Sequence, residues 1–290
     1  MNSWIRVSRD QPCPVCGRAD WCLISWDKSA AICARLASER RAGRAGWLHR
    51  LKESADWKPR PRRLILRVRP QAASSYFQDL SEHFQAQGKE AGQLAVVAES
   101  LGVTTDSLIR FGVGWCLQHK VSTWPMRDST GRIVGINRRY GDGSKRIMRG
   151  HKAGLYMPED LPADFGGRTL VITEGGSDAV VGLDLGFWTA GRFSCSHGAV
   201  PLADLVSVRR PGCVVIVADV DPDGAGERGA GALCSALLPY VECVKVITPP
   251  APYKDLRAWR TAGAKREDLV DLIELAKPRT LVVRIGNTWA

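Results

Sequence analysis

The sequence predicts an α/β fold: a Rossmann-like parallel-sheet core, an α+β subdomain ahead of it, and a small zinc-ribbon-like domain first in the chain. Three observations predict it. From residue 168 onward, short apolar runs alternate with helical patterns, which implies a parallel sheet covered on both faces. Residues 73–167 read instead as helices followed by strands paired around tight turns. Of the nine cysteines, Cys13, Cys16, Cys22 and Cys33 crowd near the start.

Composition bounds the function classes. The chain has 290 residues, 44% hydrophobic and 24% charged, which suits a folded protein with a sizeable core. Apolar runs such as 212–218 are far too short to span a bilayer, so no membrane role is expected. Residues 1–11 carry charges and no apolar h-region, so a cytoplasmic location is expected. The formal net charge of +11 favours a polyanionic partner, nucleic acid first among them.

The first zone spans residues 1–58. In Cys13-Pro-Val-Cys16-Gly17 the C-x₂-C spacing, with Gly after it, lets two thiolates reach one tetrahedral ion. Cys22 and Cys33 complete a Cys₄ set by count. No second C-x₂-C follows, because position 36 is Leu36. His49 therefore competes with Cys22 as the fourth ligand. Without a secretion signal, structural Zn²⁺ fits the cluster better than disulfides; the alternative is a group of free thiols. The other five, Cys116, Cys195, Cys213, Cys234 and Cys243, are scattered and read as small buried hydrophobes.

Residues 35–69 hold twelve Arg and Lys, from Arg35 to Arg69, against Glu39, Glu53 and Asp56. Trp21, Trp26, Trp47 and Trp57 interleave with them. Cations that neutralise phosphates and aromatics that stack on bases are the needs of single-strand binding. The alternative is that the tryptophans form the mini-core of a small domain. Residues 59–72 are Pro- and Arg-rich and read as a basic linker, with a short strand at 64–68.

Within 73–167, helices are predicted at 76–88 and 90–101. A short helix-turn-helix element follows, with Thr104 or Thr105 as an N-cap, and leads into a strand. Strands come next at 122–127 and 133–140 around a turn at 128–132, then a turn at 141–144 and a strand at 146–148. From 168 the order is strand 168–174, helix 177–185, strand 186–190, helix 202–209, strand 213–219, helix 227–238 and strand 243–248. Helices at 255–262 and 267–275 close the core.

Two of these strands end in carboxylates. The first ends in Glu174, followed by Gly175-Gly176-Ser177-Asp178. The second ends in Asp219, followed by Val220-Asp221-Pro222-Asp223-Gly224. In one parallel sheet these groups meet at the carboxyl edge, where ligands sit. Clustered carboxylates repel one another and usually hold a cation, and an all-carboxylate set favours a hard ion such as Mg²⁺.

E-G-G-S-D after one apolar strand and D-V-D-P-D-G-A-G after another resemble the paired motifs of toprim domains. Those domains occur in bacterial-type primases, type IA and II topoisomerases, some nucleases and RecR-like repair proteins. The resemblance covers roughly residues 168–260. It implies that Glu174 handles a proton or shares the metal. It implies Mg²⁺, with Mn²⁺ a substitute, on Asp219 and Asp221, and Asp223 belongs to an alternative register, Asp221-x-Asp223. Asp178 reads either as part of the site or as a first-turn residue of its helix. Tyr253-Lys254-Asp255-Leu256 resembles a K-D element of primases, implying phosphate and metal contacts; alternatively Asp255 caps the next helix. Residues 122–158 resemble the segment before toprim in phage-type primases, making Arg138, Arg139, Lys145 and Arg146 candidates for the nucleic-acid and nucleotide groove.

The cysteine segment likewise resembles zinc-binding N-terminal regions of toprim proteins from phages and mobile elements. Together the resemblances imply a DNA primase of that type: a nucleotidyltransferase making short RNA primers from NTPs on a single-stranded DNA template. The rivals are a toprim nuclease, which needs the same carboxylates but no zinc domain, and a non-catalytic replication or repair accessory protein. A type IA topoisomerase is disfavoured, because no room remains for its catalytic-tyrosine domain. No G-x₄-G-K-[ST] occurs, so a replicative helicase would be a separate partner.

Overall fold

The computed structural model describes residues 4–51, 74–194 and 197–281. The chain divides into two compact units, residues 1–67 and 68–290. The proposed linker 59–72, its strand at 64–68, Trp57 and Cys195 lie outside the described residues.

The first unit is a four-stranded antiparallel sheet, in the order β1 (Trp4–Arg6), β2 (Leu23–Ser25), β3 (Ala30–Cys33) and β4 (Trp47–Arg50). Val7, Cys13, Cys22 and Cys33 form its buried centre, so sulfur stands where a larger domain would place aliphatic side chains. Trp21 and Trp26 are 71% and 73% exposed, so neither belongs to a mini-core.

The second unit opens with α1 (Ser74–Glu90), α2 (Gln93–Leu101) and α3 (Thr105–Arg110). Helix α2 stops at Gly102, whose φ of 66° is the left-handed conformation of a C-cap glycine. Thr104 then starts α3 by accepting the Ser107 N–H at 3.3 Å. Four antiparallel strands follow, β5 (Gly114–Cys116), β6 (Val121–Arg127), β7 (Ile133–Arg139) and β8 (Lys145–Ile147), paired in chain order.

The parallel sheet has the order β10-β9-β11-β12, built from β9 (Thr169–Glu174), β10 (Trp188–Arg192), β11 (Cys213–Val217) and β12 (Val244–Ile247). Its strands alternate faces at the two-residue period of a strand. Leu170, Ile172, Val214 and Ile216 pack against α5 (Ala199–Arg209) and α6 (Ala225–Leu237). Val171, Val215 and Val217 pack on the other side against α4 (Gly176–Asp184), α7 (Leu256–Thr261) and α8 (Arg266–Leu275). Each fully buried aliphatic side chain contributes roughly 1.5–3 kcal/mol, so both helix layers are firmly held.

Residues 155 and 156 join the two sheets. Leu155 bridges Arg127 of β6, and Tyr156 bridges Gly191 of β10. Helix α4 supplies the shared wall: Val180 and Leu183 pack with Trp124, Met126 and Tyr156. At Gly176 a Cβ would come within 3.0 Å of both the Trp124 and Tyr156 rings. Only glycine brings the start of α4 that close to the antiparallel sheet.

In the second unit the predicted order of elements matches the structure, with shifted ends. Strand β10 runs on to Arg192, and α5 begins at Ala199. Cys116 and Cys234 are buried as expected. Cys213 and Cys243 depart from expectation: they are half-buried, and their sulfurs lie 2.8 Å apart. The cause is register, since Val214 pairs with Val244 and the residues just before them stand side by side.

Candidate functional site

The cysteine centre is built from a knuckle and two strand ends. The Cys13 N–H donates to Arg18 O, and the Gly17 N–H donates to Cys13 O, both at 2.8 Å. Gly17 closes that turn at φ 71°. The four sulfurs of Cys13, Cys16, Cys22 and Cys33 lie within 4.8 Å of one another. The Ala34 N–H donates to Cys22 Sγ at 3.4 Å, and the Leu36 N–H donates to Cys33 Sγ at 3.3 Å. Position 36 thus serves the site through its backbone.

The backbone hydrogen bond from Arg18 lowers the Cys16 thiol to about 7, while burial pushes Cys22 up to about 12. A buried thiol of that kind becomes a thiolate when a dication binds it. Four convergent sulfurs match tetrahedral Zn²⁺. His49 is turned to other use, its Nε2 lying 3.0 Å from Leu36 O. The fourth position therefore falls to Cys22. The centre supports zinc binding.

The acidic constellation gathers at the carboxyl edge of the parallel sheet. The Ala218 N–H donates to Ile247 O at 2.9 Å, which carries the end of β11 to the rim, and Asp219 follows, partly buried. Helix α6 packs directly beneath: a Cβ on Gly226 would collide with the Asp219 carbonyl. The Val220 N–H donates to Lys254 O at 2.7 Å, tying the loop after β11 to the loop after β12. Asp221 Oδ1 then lies 3.1 Å from Lys254 Nζ. Asp223 points elsewhere; it is exposed and accepts the Ala225 N–H at 3.1 Å, a local turn contact.

Glu174 ends β9 opposite Arg192 of β10 in register. Their side chains approach to 3.4 Å, and Arg192 Nη1 also donates to Gly229 O at 3.1 Å. Asp178 is buried. It accepts the Arg257 N–H at 3.0 Å and the Ser177 hydroxyl at 3.1 Å, so it anchors the start of α7 rather than capping its own helix. Asp255 caps α7, accepting the Ala258 N–H at 2.7 Å.

Electrostatics show how closely these groups face one another. Burial, then the charges of Asp178, Glu174, Asp255 and Asp221, pushes Asp219 up to about 8. Burial and Asp255 raise Asp178 as well. Asp219 is the member of the cluster whose negative charge is least compensated, and a hard cation is its natural complement. The carboxylates are nevertheless less tightly gathered than the sulfurs: among the described residues only the cysteines converge within 4.8 Å as a group of three or more.

The four predicted basic residues divide by register. Arg139 pairs with Lys145, and Arg138 with Arg146, so alternation sends the pairs to opposite faces of the β7–β8 ribbon. Arg139 lies 5.0 Å from the centre of the Trp124 ring and donates to Ser177 Oγ at 3.4 Å. Lys145 is exposed along its length, but its ammonium is crowded. Burial and then Arg139 lower its pKa, against the opposing pull of Asp178 and Asp219. Arg138 instead acts on His151, and Arg146 lies over Tyr140.

Sequence reasoning missed Arg192 and Arg257. The signal for Arg192 was a strand ending in Arg beside the strand ending in Glu174. Arg257 follows the Lys254-Asp255 element directly.

No protein-family model matches the sequence, and no curated protein matches it. Solved structures do. The chain is similar to a DnaG primase catalytic domain bound to ssDNA, with a TM-score of 0.57 and 17% identity over 71% of this chain and 78% of that one. A second is the Aquifex aeolicus primase with its zinc-binding and RNA polymerase domains, with a TM-score of 0.58, 14% identity, 71% of this chain and 61% of that one. A third contains primase domains of a bacteriophage T7 lagging-strand assembly bound to an RNA/DNA hybrid and dTTP. Its TM-score is 0.52, at 18% identity over 62% of this chain and 91% of that one. At these identities the likeness is one of fold alone.

Proposed function

We propose that the chain is a toprim-type DNA primase of the phage or mobile-element kind. It synthesises short RNA primers from NTPs on a single-stranded DNA template. The observation that carries this reading is the cluster around Asp219: burial and four neighbouring carboxylates raise it to about 8, with Arg139 and Lys145 presented from the neighbouring sheet. Phosphoryl transfer is mostly positioning and charge stabilisation, and it needs both a cation site and groups that hold phosphate oxygens.

Asp219 and Asp221 would hold Mg²⁺, with Mn²⁺ as a substitute, and the charge shortage at Asp219 is what fits them for it. Bound there, Mg²⁺ would lower the pKa of the attacking 3′-hydroxyl and neutralise charge on the transferred phosphoryl group. Glu174, kept oriented by the buried Arg192, accepts the hydroxyl proton or completes the metal site. Lys145, Arg139 and Lys254 orient the triphosphate. Asp255 and Asp178 fix the start of α7, which keeps Lys254 in place. In the first unit, zinc on Cys13, Cys16, Cys22 and Cys33 would order a template-binding surface that includes the exposed Trp21 and Trp26.

The domains follow as zinc-binding residues 1–58, a basic linker 59–72, an N-terminal core subdomain 73–167 and a toprim domain 168–290. Among the described residues no helix is long and apolar enough to cross a membrane. A cytoplasmic site of action and a separate helicase partner complete the reading.

The test is a priming assay with single-stranded DNA, labelled NTPs and Mg²⁺. Short RNA products are expected from wild type and from Asp223→Ala. They should be lost from folded Asp219→Ala, Asp221→Ala and Glu174→Ala. Cleavage of the template without synthesis would move the assignment to a toprim nuclease. DNA binding with neither activity would make the protein an accessory factor.

A further inference from the structure

Beside the acidic cluster lies a cavity of about 350 Å³ between the loop after β11 and the loop after β12. Its size falls in the ~300–1,000 Å³ range of small-ligand clefts. Val220, Pro249, Pro252 and Tyr253 give it flat apolar walls, and Glu227, in the first turn of α6, adds a carboxylate. Lys254 lines the same cavity while its ammonium pairs with Asp221, so the cavity opens directly onto the candidate catalytic groups.

We infer that this cavity is a nucleobase subsite selective for guanine. The inference rests on the function proposed above and names a base preference for it. An aromatic ring with proline and valine walls suits the two faces of a planar base. A base seated there places its phosphates toward Lys254 and the acidic edge. Selectivity comes from Glu227. An ionised carboxylate only accepts hydrogen bonds, through two oxygens. Guanine presents two adjacent donors, N1–H and the N2 amino group. Adenine and cytosine each offer an amino group beside an acceptor nitrogen. Uracil offers one N–H flanked by two carbonyl oxygens, which a carboxylate repels.

The test titrates the full-length protein with GMP, AMP, CMP and UMP by calorimetry without added Mg²⁺. Wild type should bind GMP roughly tenfold more tightly than the others, the discrimination typical of a bidentate pair. Glu227→Gln should bring the four affinities together. Tyr253→Ala, checked for folding by circular dichroism, should weaken all four by roughly tenfold, as for loss of a stacking partner. Equal affinities in wild type, no mononucleotide binding, or a preference that survives Glu227→Gln would overturn the assignment. Failure of priming with the GMP preference intact would count against the polymerase reading alone. Priming without a GMP preference would count against the cavity alone.

Discussion

Lys254 Nζ sits 3.1 Å from Asp221 Oδ1, so one proposed metal ligand is already matched by a positive charge. Lys254 is 60% exposed and Asp221 is 23% exposed, which keeps the pair weak, at ~0.2–1 kcal/mol. A cation entering the site must displace the ammonium. Lys254→Ala should therefore tighten Mn²⁺ binding by about twofold to fivefold, within that energy range, while primer synthesis falls. Electron paramagnetic resonance titration of free Mn²⁺ measures the first effect. Weaker binding in the variant would show that Lys254 is not a competitor of the metal.

The raised Asp219 has a defined consequence for pH. Its folded-state value of about 8 stands above the ~3.9 of an unfolded aspartate, so the folded chain holds the extra proton between them. Without divalent cations, stability should therefore fall as pH rises from about 4 and level off above about 8. Thermal unfolding across that window should show the slope, and Asp219→Asn should flatten it. Because Mg²⁺ requires the ionised form, its binding should release a proton below about pH 8 and progressively less above. Calorimetry in buffers of different ionisation enthalpy reads that release, and a pH-independent result would contradict the cluster's electrostatics.

Zinc binding should follow the sulfurs and not the imidazole. Cys22→Ser should lose stoichiometric zinc, measured by plasma mass spectrometry, while His49→Ala retains it. Structural zinc supplies ~10–16 kcal/mol to small domains, so chelation should unfold the first unit. Retention of zinc by Cys22→Ser would return His49 to the ligand set.

Much of this arrangement was legible in the sequence, for physical reasons that differ by element. The alternation from residue 168 onward is a strong signal, because a strand buried on both faces admits few polar residues. The strand-end carboxylates were equally visible, since Glu174 and Asp219 interrupt otherwise apolar runs. The partners of those carboxylates were not. That Arg192 faces Glu174 depends on the register of β10 against β9, a tertiary fact. The roles of Asp178 and Asp255 depend on the docking of α7, which no local pattern encodes. The pairing of Cys213 with Cys243 is hidden for the same reason. Leu36 shows the limit of counting side chains, for its contribution to the cysteine centre is a backbone N–H.

The register of β7 on β8 separates two lysine and arginine pairs that look equivalent in sequence. Lys145→Met should raise the KM for NTPs by about tenfold, the scale of a lost charge-assisted contact. Arg146→Met, on the other face, should change it by less than about twofold. Steady-state primer synthesis at varied NTP distinguishes them. Equal effects would mean that substrate reaches both faces of the ribbon.

The cations Arg139 and Lys145 come from one sheet and the carboxylates from another, and residues 155 and 156 bridge the two. Charge balance at the site is thus a property of the whole second unit. A fragment beginning at β9 carries every acidic group and neither of those cations. A fragment ending before β9 carries those cations without the acids. If the proposed priming activity is correct, cutting the polypeptide in the loop before β9 should yield two halves that prime only on reassembly.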